Sequence, residues 1–580
     1  MAVVDIRVEA NVTAGWVDIT TDVDGDVAQS VDYGIDGNRP LDVVASTGEF
    51  AFTLLNDPPG RYSMKHDDRL AGWARGTPMR VRAIHGADLA DAVDTITRAG
   101  STATVEMVAN HALNDGDWVE VVGADQSEYN GLFQVSTLGL PADTFEYEVT
   151  GTPASPASGT VTAQRFYYMH RGKVYRATPT AGLARDRRVA VVSHDAMRDL
   201  AEADVREIDV QIDQSEDDLI DAALDAIPAA MQPIARDLDA GVDTMPVAFH
   251  DIGPGVKCMT LVHDIVVASF GLAFVKADGT FRYVSRTTRA TGSSEYSFTS
   301  LNCSHVDSPT DQDDIFNLIR LRIRPATVDA TASTVLWAAE GDPIEIPAGG
   351  TYQARIEFRD PDNRQNTLIG GDDVVTPVQG TDYAANSASG GGGADLSGDL
   401  SVTFNDFAAG GEWVIVNNAS VTAYLVNSSG VPLLQVRGKG IYDRNPQTFE
   451  AGTGGMIVRP ITIDLRYNSN PFFAKSYADY LDSQYSSDES QIGMLEFWGN
   501  VDDAQLRAAL SLEPGAIVDL SEELTGLDAV DAVVHRKSTS IEPGNLLVCR
   551  LSLSPAAPFR SWLAGVVTRS EAGQTTVVGF

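Results

Sequence analysis

Clusters of aspartate are the residues whose type and spacing come nearest to chemistry in this sequence. Asp22, Asp24 and Asp26 alternate in the stretch DVDGDV, and a calcium loop needs several oxygen ligands on such a tight turn. The spacing departs from the EF-hand, because Gly25 comes too early and the distal bidentate glutamate is missing. The stretch DSPTDQDD at 307–314 could likewise be a cation-binding loop or a solvated turn. We interpret both as solvated turns and predict no metal site, with cation binding as the alternative.

Histidine–aspartate neighbours are the second candidate for chemistry. Four of the nine histidines directly precede an aspartate. In catalytic triads the imidazole and the carboxylate meet through tertiary contact and are not sequence neighbours. Neither GxSxG, HExxH, GxxxxGK[ST] nor GxGxxG after a strand accompanies them. We therefore predict structural histidines, no catalytic or cofactor-binding residue, no cofactor and no enzyme. The four histidines are His66, His194, His250 and His263.

The charge of the chain limits its partners. Its 580 residues carry 81 acidic against 42 basic side chains, for a formal charge of −39 and a pI near 4.4. Such a surface repels nucleic acid and anionic membranes. Of the acids 58 are Asp, and only seven of the cations are Lys. This composition resembles that of proteins from saline surroundings, where salt screens self-repulsion; an ordinary acidic protein is the alternative.

The spacing of the cysteines and the length of the apolar runs exclude further classes of protein. Cys258, Cys303 and Cys549 are widely spaced and no CxxC occurs, so we expect neither a disulfide framework nor a zinc ribbon. The opening MAVVDIRVEA has charges where a signal peptide needs apolar residues. No apolar run approaches the ~20 residues that span a bilayer. We expect synthesis in a cytoplasm without membrane insertion.

Strand patterns dominate the elements that must position these residues. ASTGEFAFTLLND alternates apolar and polar residues, and AFVKADGTFRYVSR predicts a hairpin that turns at Asp278-Gly279. Strands at 79–86 and 166–177 flank a stretch of different texture, and we predict that they are neighbours in one sheet. The stretch between them, 93–163, is then a small β-domain inserted into a loop.

An acidic stretch within that insert is a β-module and not a site. The sequence HALNDGDWVEVVGADQSEYNGLFQV, His111 to Val135, alternates Trp118, Val119 and Val121 with acids and amides. This pattern predicts strands with one buried face, so the carboxylates belong to the solvated side.

Three segments carry helical patterns. DQSEDDLIDAALDAIP begins at Ser215 as N-cap, with Asp218 three residues later, and stops at Pro228. MTLVHDIVVASFG has helical spacing and ends at Gly271 as a C-cap. PFFAKSYADYLDSQY opens with Pro471 in its first turn. The fold class is therefore β-dominated with helical patches.

The order of these segments resembles tail-hub (baseplate hub, tail-tip) proteins of long-tailed, siphovirus-like bacterial and archaeal viruses. Their first hub β-domain is similar to VDYGIDGNRPLDVVASTGEFAFTLLND, GTPMRVRAIHG, YYMHRGKVYRATPT and RRVAVVSHDAMRDLA. Their helix–hairpin unit resembles MTLVHDIVVASFGLAFVKADGTFRYVSR. A β-domain of siphovirus tail proteins is similar to EFRDPDN, DYAANSASGGGGADLS and LLQVRGKGIY. The second hub β-domain resembles LSLEPGAIVDLSEELTGLD and HRKSTSIEPGNLLVCRLSLSP.

The resemblance implies a β-dominated multidomain α+β fold, with two hub-type β-barrels bracketing a small α/β region and with inserted β-modules. The implied divisions are a first hub β-domain (1–92 and 164–200), an inserted β-domain (93–163), an α/β region with the helix–hairpin unit (201–295), the start of the second hub β-domain (296–364), an inserted β-module with a Gly-rich loop (365–440), a linker and helix (441–490) and the rest of the second hub β-domain (491–580).

The resemblance also implies a virion structural protein at the tail tip or baseplate. Three copies would form a collar that joins the tail tube to the tail tip, with viral DNA passing through the lumen without specific binding. The implied partners are further copies of the chain, the tail tube, distal-tail, tail-tip or fibre proteins, the tape-measure protein and a host surface. A glycan-binding adhesin and a cell-wall-degrading tail enzyme are the alternatives.

Overall fold

The chain folds into many strands and few helices. The computed structural model describes residues 2–556 apart from 14, 38, 89–90, 181–186, 206–207, 251, 253–254, 309–314, 360–367, 408, 429, 454–457 and 487–491. Within these ranges it has 38 strands and six α-helices. The prediction of a β-dominated fold is confirmed. No helix in this part of the chain is both long and apolar enough to cross a membrane.

The first twelve strands build a main sheet and a module. They are β1 (Val4–Val12), β2 (Gly15–Asp18), β3 (Gln29–Gly34), β4 (Ser46–Leu55), β5 (Pro78–His85), β6 (Asp91–Ala99), β7 (Thr102–Met107), β8 (Trp118–Ala124), β9 (Gly131–Gln134), β10 (Thr144–Glu148), β11 (Gly159–Pro179) and β12 (Arg188–His194). The main sheet has the order β2–β1–β5–β11–β12–β4–β3. The predicted pairing of the strands that flank the insert is confirmed, since Tyr167 lies opposite Ala83.

The module formed by β6–β10 and the first part of β11 has its own hydrophobic cluster. Val105, Val121 and Phe145 are buried in it. Its two ends meet where Asp91 lies opposite Ala163, which suits chain inserted into a loop. The acidic stretch of the insert forms β8, a turn and β9, as predicted. The prediction that its carboxylates face solvent was wrong for Glu120, which is half-buried because it pairs with Arg7 and Arg82 of the main sheet.

The α/β middle packs helices against short strands. Its elements are α1 (Ala196–Glu202), β13 (Asp204–Val205), β14 (Gln211–Ser215), α2 (Glu216–Asp225), β15 (Ala235–Leu238), β16 (Thr244–Ala248), β17 (Val256–Lys257), α3 (Cys258–Ser269), β18 (Leu272–Val275), β19 (Thr280–Val284) and α4 (Arg286–Thr291). Leu219 of α2 and Leu261 of α3 belong to one buried cluster. The hairpin predicted at Asp278-Gly279 is confirmed, because Val275 pairs with Phe281 across it.

Two helix ends differ in detail from the prediction. Ser215 is the N-cap of α2, but its hydroxyl donates to Asp218 and to a neighbouring aspartate and caps no backbone N–H. The C-cap of α3 is Phe270, at φ 59°, and Gly271 follows it. The Phe270 ring lies 4.4 Å from that of Tyr477, so tertiary packing holds a bulky residue where local rules favour glycine.

The next stretch contributes two strands to a distant sheet and builds a second module. Its elements are β20 (Ser294–Thr299), β21 (His305–Val306), β22 (Leu318–Ile323), β23 (Ala326–Val328), β24 (Thr334–Ala338), β25 (Ile344–Ile346), β26 (Thr351–Glu357), β27 (Leu368–Asp372), β28 (Ala385–Asn386), β29 (Leu400–Phe407), β30 (Gly410–Asn417), β31 (Ala423–Leu425), β32 (Gln435–Asp443), β33 (Gln447–Ala451), β34 (Pro460–Leu465) and α5 (Pro471–Tyr485). Leu336, Trp413 and Leu434 are buried in the module's own cluster.

The C-terminal β-region completes a sheet begun by β20 and β21. Its elements are β35 (Met494–Trp498), α6 (Asp503–Ser511), β36 (Ile517–Glu522), β37 (Leu527–Glu542) and β38 (Leu546–Pro555). The strand order is β20–β36–β37–β38–β35–β21. In addition, β37 pairs with β3 from Gln29 opposite Ile541 to Gly34 opposite Arg536.

This last pairing changes the predicted architecture. Among the described residues no set of paired strands closes into a ring, so the two hub-type β-barrels are not observed as closed barrels. The physical reason is that β3 pairs with β37 on its outer side and does not return to β2. The N-terminal and C-terminal β-regions therefore share one sheet and one hydrophobic cluster, which contains both Phe50 and Leu551.

Candidate functional site

Two of the three aspartates of DVDGDV form ion pairs within the fold. Asp24 is buried, and its carboxylate lies 2.5 Å from Arg188 Nε. Asp22 lies 3.3 Å from Arg61, and Asp26 donates its backbone N–H to Asp24. The interpretation as a solvated turn was therefore wrong for Asp24, whose partner comes from a distant strand. In the part of the chain that the structure describes, no group of three or more His, Cys, Asp and Glu side chains is placed to hold a metal ion.

The second acidic stretch is described only at its start. Residues 309–314 lie outside the described residues. Asp307 accepts a hydrogen bond from the Met494 N–H at 2.5 Å and donates its own N–H to the Met494 carbonyl at 2.9 Å. Asp307 thus continues the pairing of β21 with β35.

The histidines that precede aspartates lie in separate places. His194 stacks on Tyr175, with ring centroids 4.4 Å apart, and lies 3.5 Å from Glu49. Burial lowers the pKa of His194. Its neighbour Asp195 caps α1 by accepting the Met197 N–H. The other three, in two turns and in α3, are His66, His250 and His263.

A buried polar cluster lies where the two β-regions pair. Tyr33 of β3 lies opposite Lys537 of β37, and both residues are buried. Lys537 Nζ donates a hydrogen bond to the Leu512 carbonyl at 2.8 Å. Glu513 follows in the turn before β36 and is half-buried, and its charge acts on the pKa of both Tyr33 and Lys537. We call Tyr33, Glu513 and Lys537 the junction cluster.

The hairpin of the α/β middle reaches the same place. The Ala277 N–H lies 3.4 Å from both carboxylate oxygens of Glu513. The next residue, Asp278, accepts a hydrogen bond from the Trp118 indole at 3.3 Å. The ring of Trp118 in turn makes an edge contact with Tyr168, at a centroid distance of 5.1 Å. Four separate parts of the chain therefore meet at the junction.

Burial sets the ionisation of the junction cluster. Burial raises the pKa of Glu513 to about 7; nearby Lys537 opposes this shift and Asp278 adds to it. Burial lowers the pKa of Lys537, against the attraction of Glu513. Burial and then the charge of Glu513 raise the pKa of Tyr33. Each group is thus shifted toward its uncharged form, as expected where removal from water outweighs ionic attraction.

Close backbone approach and a second ion pair accompany the cluster. Gly34 has φ +120°, and a Cβ there would lie 2.4 Å from the His535 carbonyl oxygen, so only glycine fits. Arg536 donates two hydrogen bonds to the Asp32 carboxylate, at 2.6 and 2.8 Å. Burial lowers the pKa of His535 to about 4, so its ring is neutral at pH 7, and it lies 2.8 Å from the Ser554 hydroxyl. The pairing of β3 with β37 is thereby fixed in register.

A cavity of about 330 Å³ adjoins the cluster on the side of Glu513. Its charged lining residues are Glu295, Glu513, Lys276, Arg282 and Arg289. Arg282 is already engaged by Asp237 at 2.9 Å, and Arg289 donates to the Phe270 carbonyl at 3.1 Å. The arrangement as a whole holds two β-regions in one fixed orientation.

The sequence patterns alone did not reveal the junction cluster. One signal was present, because Lys537 is one of only seven lysines and alternates with Thr539 and Ile541 on one strand face. That face is buried in the structure. A lysine on a buried strand face requires an acceptor, but its partner cannot be identified from local spacing.

Comparisons with known proteins add little to this description. No family model and no curated protein matches the chain. Among solved structures, the chain is similar to a 43 kDa tail protein of prophage MuSo2 from Shewanella oneidensis (8% identity, TM-score 0.40) and to a tail protein from Neisseria meningitidis MC58 (10% identity, TM-score 0.42). Each match covers 96% of this chain and 98% of the other. Prophage tail protein gp18 from Listeria monocytogenes matches with 8% identity and TM-score 0.27, over 78% of this chain and 94% of that one. At these TM-scores the likeness carries no argument about fold or function.

Proposed function

We propose that this chain is a virion structural protein, a hub subunit in the tail of a long-tailed virus. Two things support the proposal: the order of its segments, which resembles that of tail-hub proteins, and the way its two β-regions are joined. The joint between β3 and β37 carries the most weight. A ring with two β-regions per chain needs a fixed angle between them, and a paired, register-locked joint supplies it.

Three copies in a closed ring would place six β-regions around one axis. Closed symmetry is the usual outcome for homo-oligomers. Such a collar fits a sixfold tail tube on one side and a threefold tip on the other. Its proposed neighbours are the tail tube, distal-tail, tail-tip or fibre proteins and the tape-measure protein, and the inserts are free to face a host surface.

The charge of the chain suits a channel for DNA. With a formal charge of −39, an acidic wall would repel phosphate and let DNA slide without adhesion. We propose passage through the lumen without specific binding.

Imaging of the purified full chain tests the proposal. We expect negative-stain images with threefold rings and, by mass photometry, particles of three times 61.9 kDa. These should form from the chain alone or after tail-tube protein is added. Tyr33→Ala should abolish the rings, because it opens the joint. Tyr147→Ala, which alters a buried tyrosine of the module, is the matched control and should leave them intact. Assemblies with only twofold or sixfold symmetry would contradict the hub.

A glycan-binding adhesin is the second candidate, and its basis is that two modules have hydrophobic clusters of their own. Trp413 and Phe404 lie 4.7 Å apart in the second module, but Trp413 is fully buried and belongs to the core. Binding of the full chain on a glycan array would favour the adhesin. Release of soluble fragments from peptidoglycan would favour a tail enzyme over both.

A further inference from the structure

Two exposed leucines lie in turns at one end of the C-terminal sheet. Strands β20 and β36 run parallel, with Thr299 beside Ser521, so the turns that follow them leave the sheet at the same end. Leu301 in the first turn is 95% exposed, and Leu524 in the second is 94% exposed. The turns are neighbours, since they directly follow the paired ends of these two strands.

The same end has an open strand edge. The last bond between β38 and β37 is that of the Ala556 N–H to the Asp531 carbonyl, at 2.8 Å. Residues 527–531 of β37 extend beyond it and pair with β36 on their other side. Among the described residues, no strand pairs with 527–531 on the side of β38. Single exposed leucines are common on surfaces, but an unpaired strand edge is a place where other chains associate, and the turn of Leu524 leads directly into this edge.

The sequence that follows Ala556 has matching chemistry. Residues 519–531 contain five acids and no Lys or Arg, whereas residues 557–570 contain Arg560 and Arg569 and no acid. The second stretch also contains five large apolar residues, which are Phe559, Trp562, Leu563, Val566 and Val567. The stretch is therefore complementary to the end of the sheet in charge and in apolar character.

The distance that the following residues can span favours docking within the same copy of the chain. The described chain ends at Ala556, beside Asp531. An extended chain spans about 3.3 Å per residue, so the six residues from Ala556 to Trp562 allow contact with the turn of Leu524 without a partner copy. We propose that residues 557–570 dock across this end of the C-terminal sheet within one copy, covering Leu301, Leu524 and the edge of β37. This docking does not depend on the hub assignment.

The thiol of Cys303 provides a probe at the docking surface. It is partly exposed, whereas Cys258 and Cys549 are buried, so N-ethylmaleimide reports on Cys303 in the native full-length chain. The double variant Trp562→Ser, Leu563→Ser should raise its alkylation rate several-fold. Leu524→Ser, on an exposed side chain that the fold does not need, should do the same. Val577→Ser, Val578→Ser, further along the same segment, is the matched control and should leave the rate unchanged.

Hydrogen exchange of residues 521–531 supplies a second readout. The same two variants should speed exchange there and leave β8 unaffected. Unchanged alkylation and unchanged exchange in both variants would overturn the proposal. Protection that disappears on dilution would assign the segment to a neighbouring copy and overturn it as well.

Discussion

The inserted module and the C-terminal β-region are joined to the N-terminal β-region in different ways. The module is continuous with the main sheet through β11, and its Glu120 reaches Arg7 at 3.2 Å and Arg82 at 3.5 Å. The C-terminal β-region is joined by pairing of β37 with β3, where Asp32 and Arg536 bond although 504 residues separate them. One joint is covalent with charged contacts at its edge; the other is noncovalent and buried.

The difference shows what each kind of joint needs. A continuous strand keeps the module in place whatever its side chains do. A long-range joint must exclude other registers, and a slip of one residue along β37 would turn Lys537 and Thr539 from the buried face to the opposite one. Since Glu513 and Lys537 are both shifted toward uncharged forms, we infer that they specify the pairing more than they stabilise it.

The largest expected effect comes from emptying the buried joint. Tyr33→Ala should lower the free energy of unfolding of both β-regions by about 3–4 kcal/mol, because it leaves a cavity between them. Tyr147→Ala should destabilise the module by a similar amount and leave the β-regions unchanged. Pulse labelling of buried Cys549 across a denaturant series measures the first effect locally. Equal responses of Cys549 to the two variants would show that the joints do not differ.

Backbone contact at the joint should give the next largest effect. Gly34→Ala should cost about 2–3 kcal/mol, because it combines a left-handed conformation with a clash against the His535 carbonyl. Gly544→Ala, at φ +87° with open space around its Cβ, carries the conformational cost alone. Chemical denaturation of the two variants should separate them, and equal losses would contradict a close approach of β3 to β37.

The junction cluster should make stability depend on pH. The pKa of Glu513 is raised from an ordinary 4.5 to about 7, so between these values the folded state binds more protons than the unfolded state, and stability falls as pH rises. Glu513→Gln keeps the side chain uncharged. It should therefore match the parent chain near pH 5 and exceed it in melting temperature at pH 8. A variant less stable than the parent at pH 8 would show that the ionised pair is net favourable.

The smallest effect is expected at the module. Because Asp91 lies opposite Ala163, deletion of 93–163 with a short linker should leave the β-regions folded. Glu120→Ala should cost only about 0.5–1 kcal/mol, as usual for part-exposed ion pairs. Melting curves of the deletion and of Glu120→Ala measure both. Aggregation of the deletion variant would mean that Trp118 and its contacts are needed by the main sheet.

Local patterns predicted a good part of the fold. The hairpin at Asp278-Gly279 and the three main helices follow from alternation, caps and turn residues within short windows. The pairing of β5 with β11 follows from the change in sequence texture between them. The C-cap of α3 is Phe270, one position before the predicted Gly271, because packing on Tyr477 holds Phe270 in the left-handed conformation.

Contacts between distant parts of the chain could not be predicted from the local sequence. The pairing of β3 with β37 is invisible locally, because nothing near Gln29 indicates a partner at Ile541. For the same reason the local sequence predicts a solvated Asp24, although the structure pairs it with Arg188. The junction cluster combines residues from three segments, and only the lysine on a buried strand face hinted at it.

Native-state hydrogen exchange across the whole chain tests the difference between the two joints most directly. If the buried joint opens only with the main sheet, amides of β3 and of residues 536–541 should exchange last and at the same rate, while those of β8 and β9 exchange earlier through local opening of the module. Exchange in β3 and β37 that is as fast as in the module, or that differs between the two strands, would contradict the account.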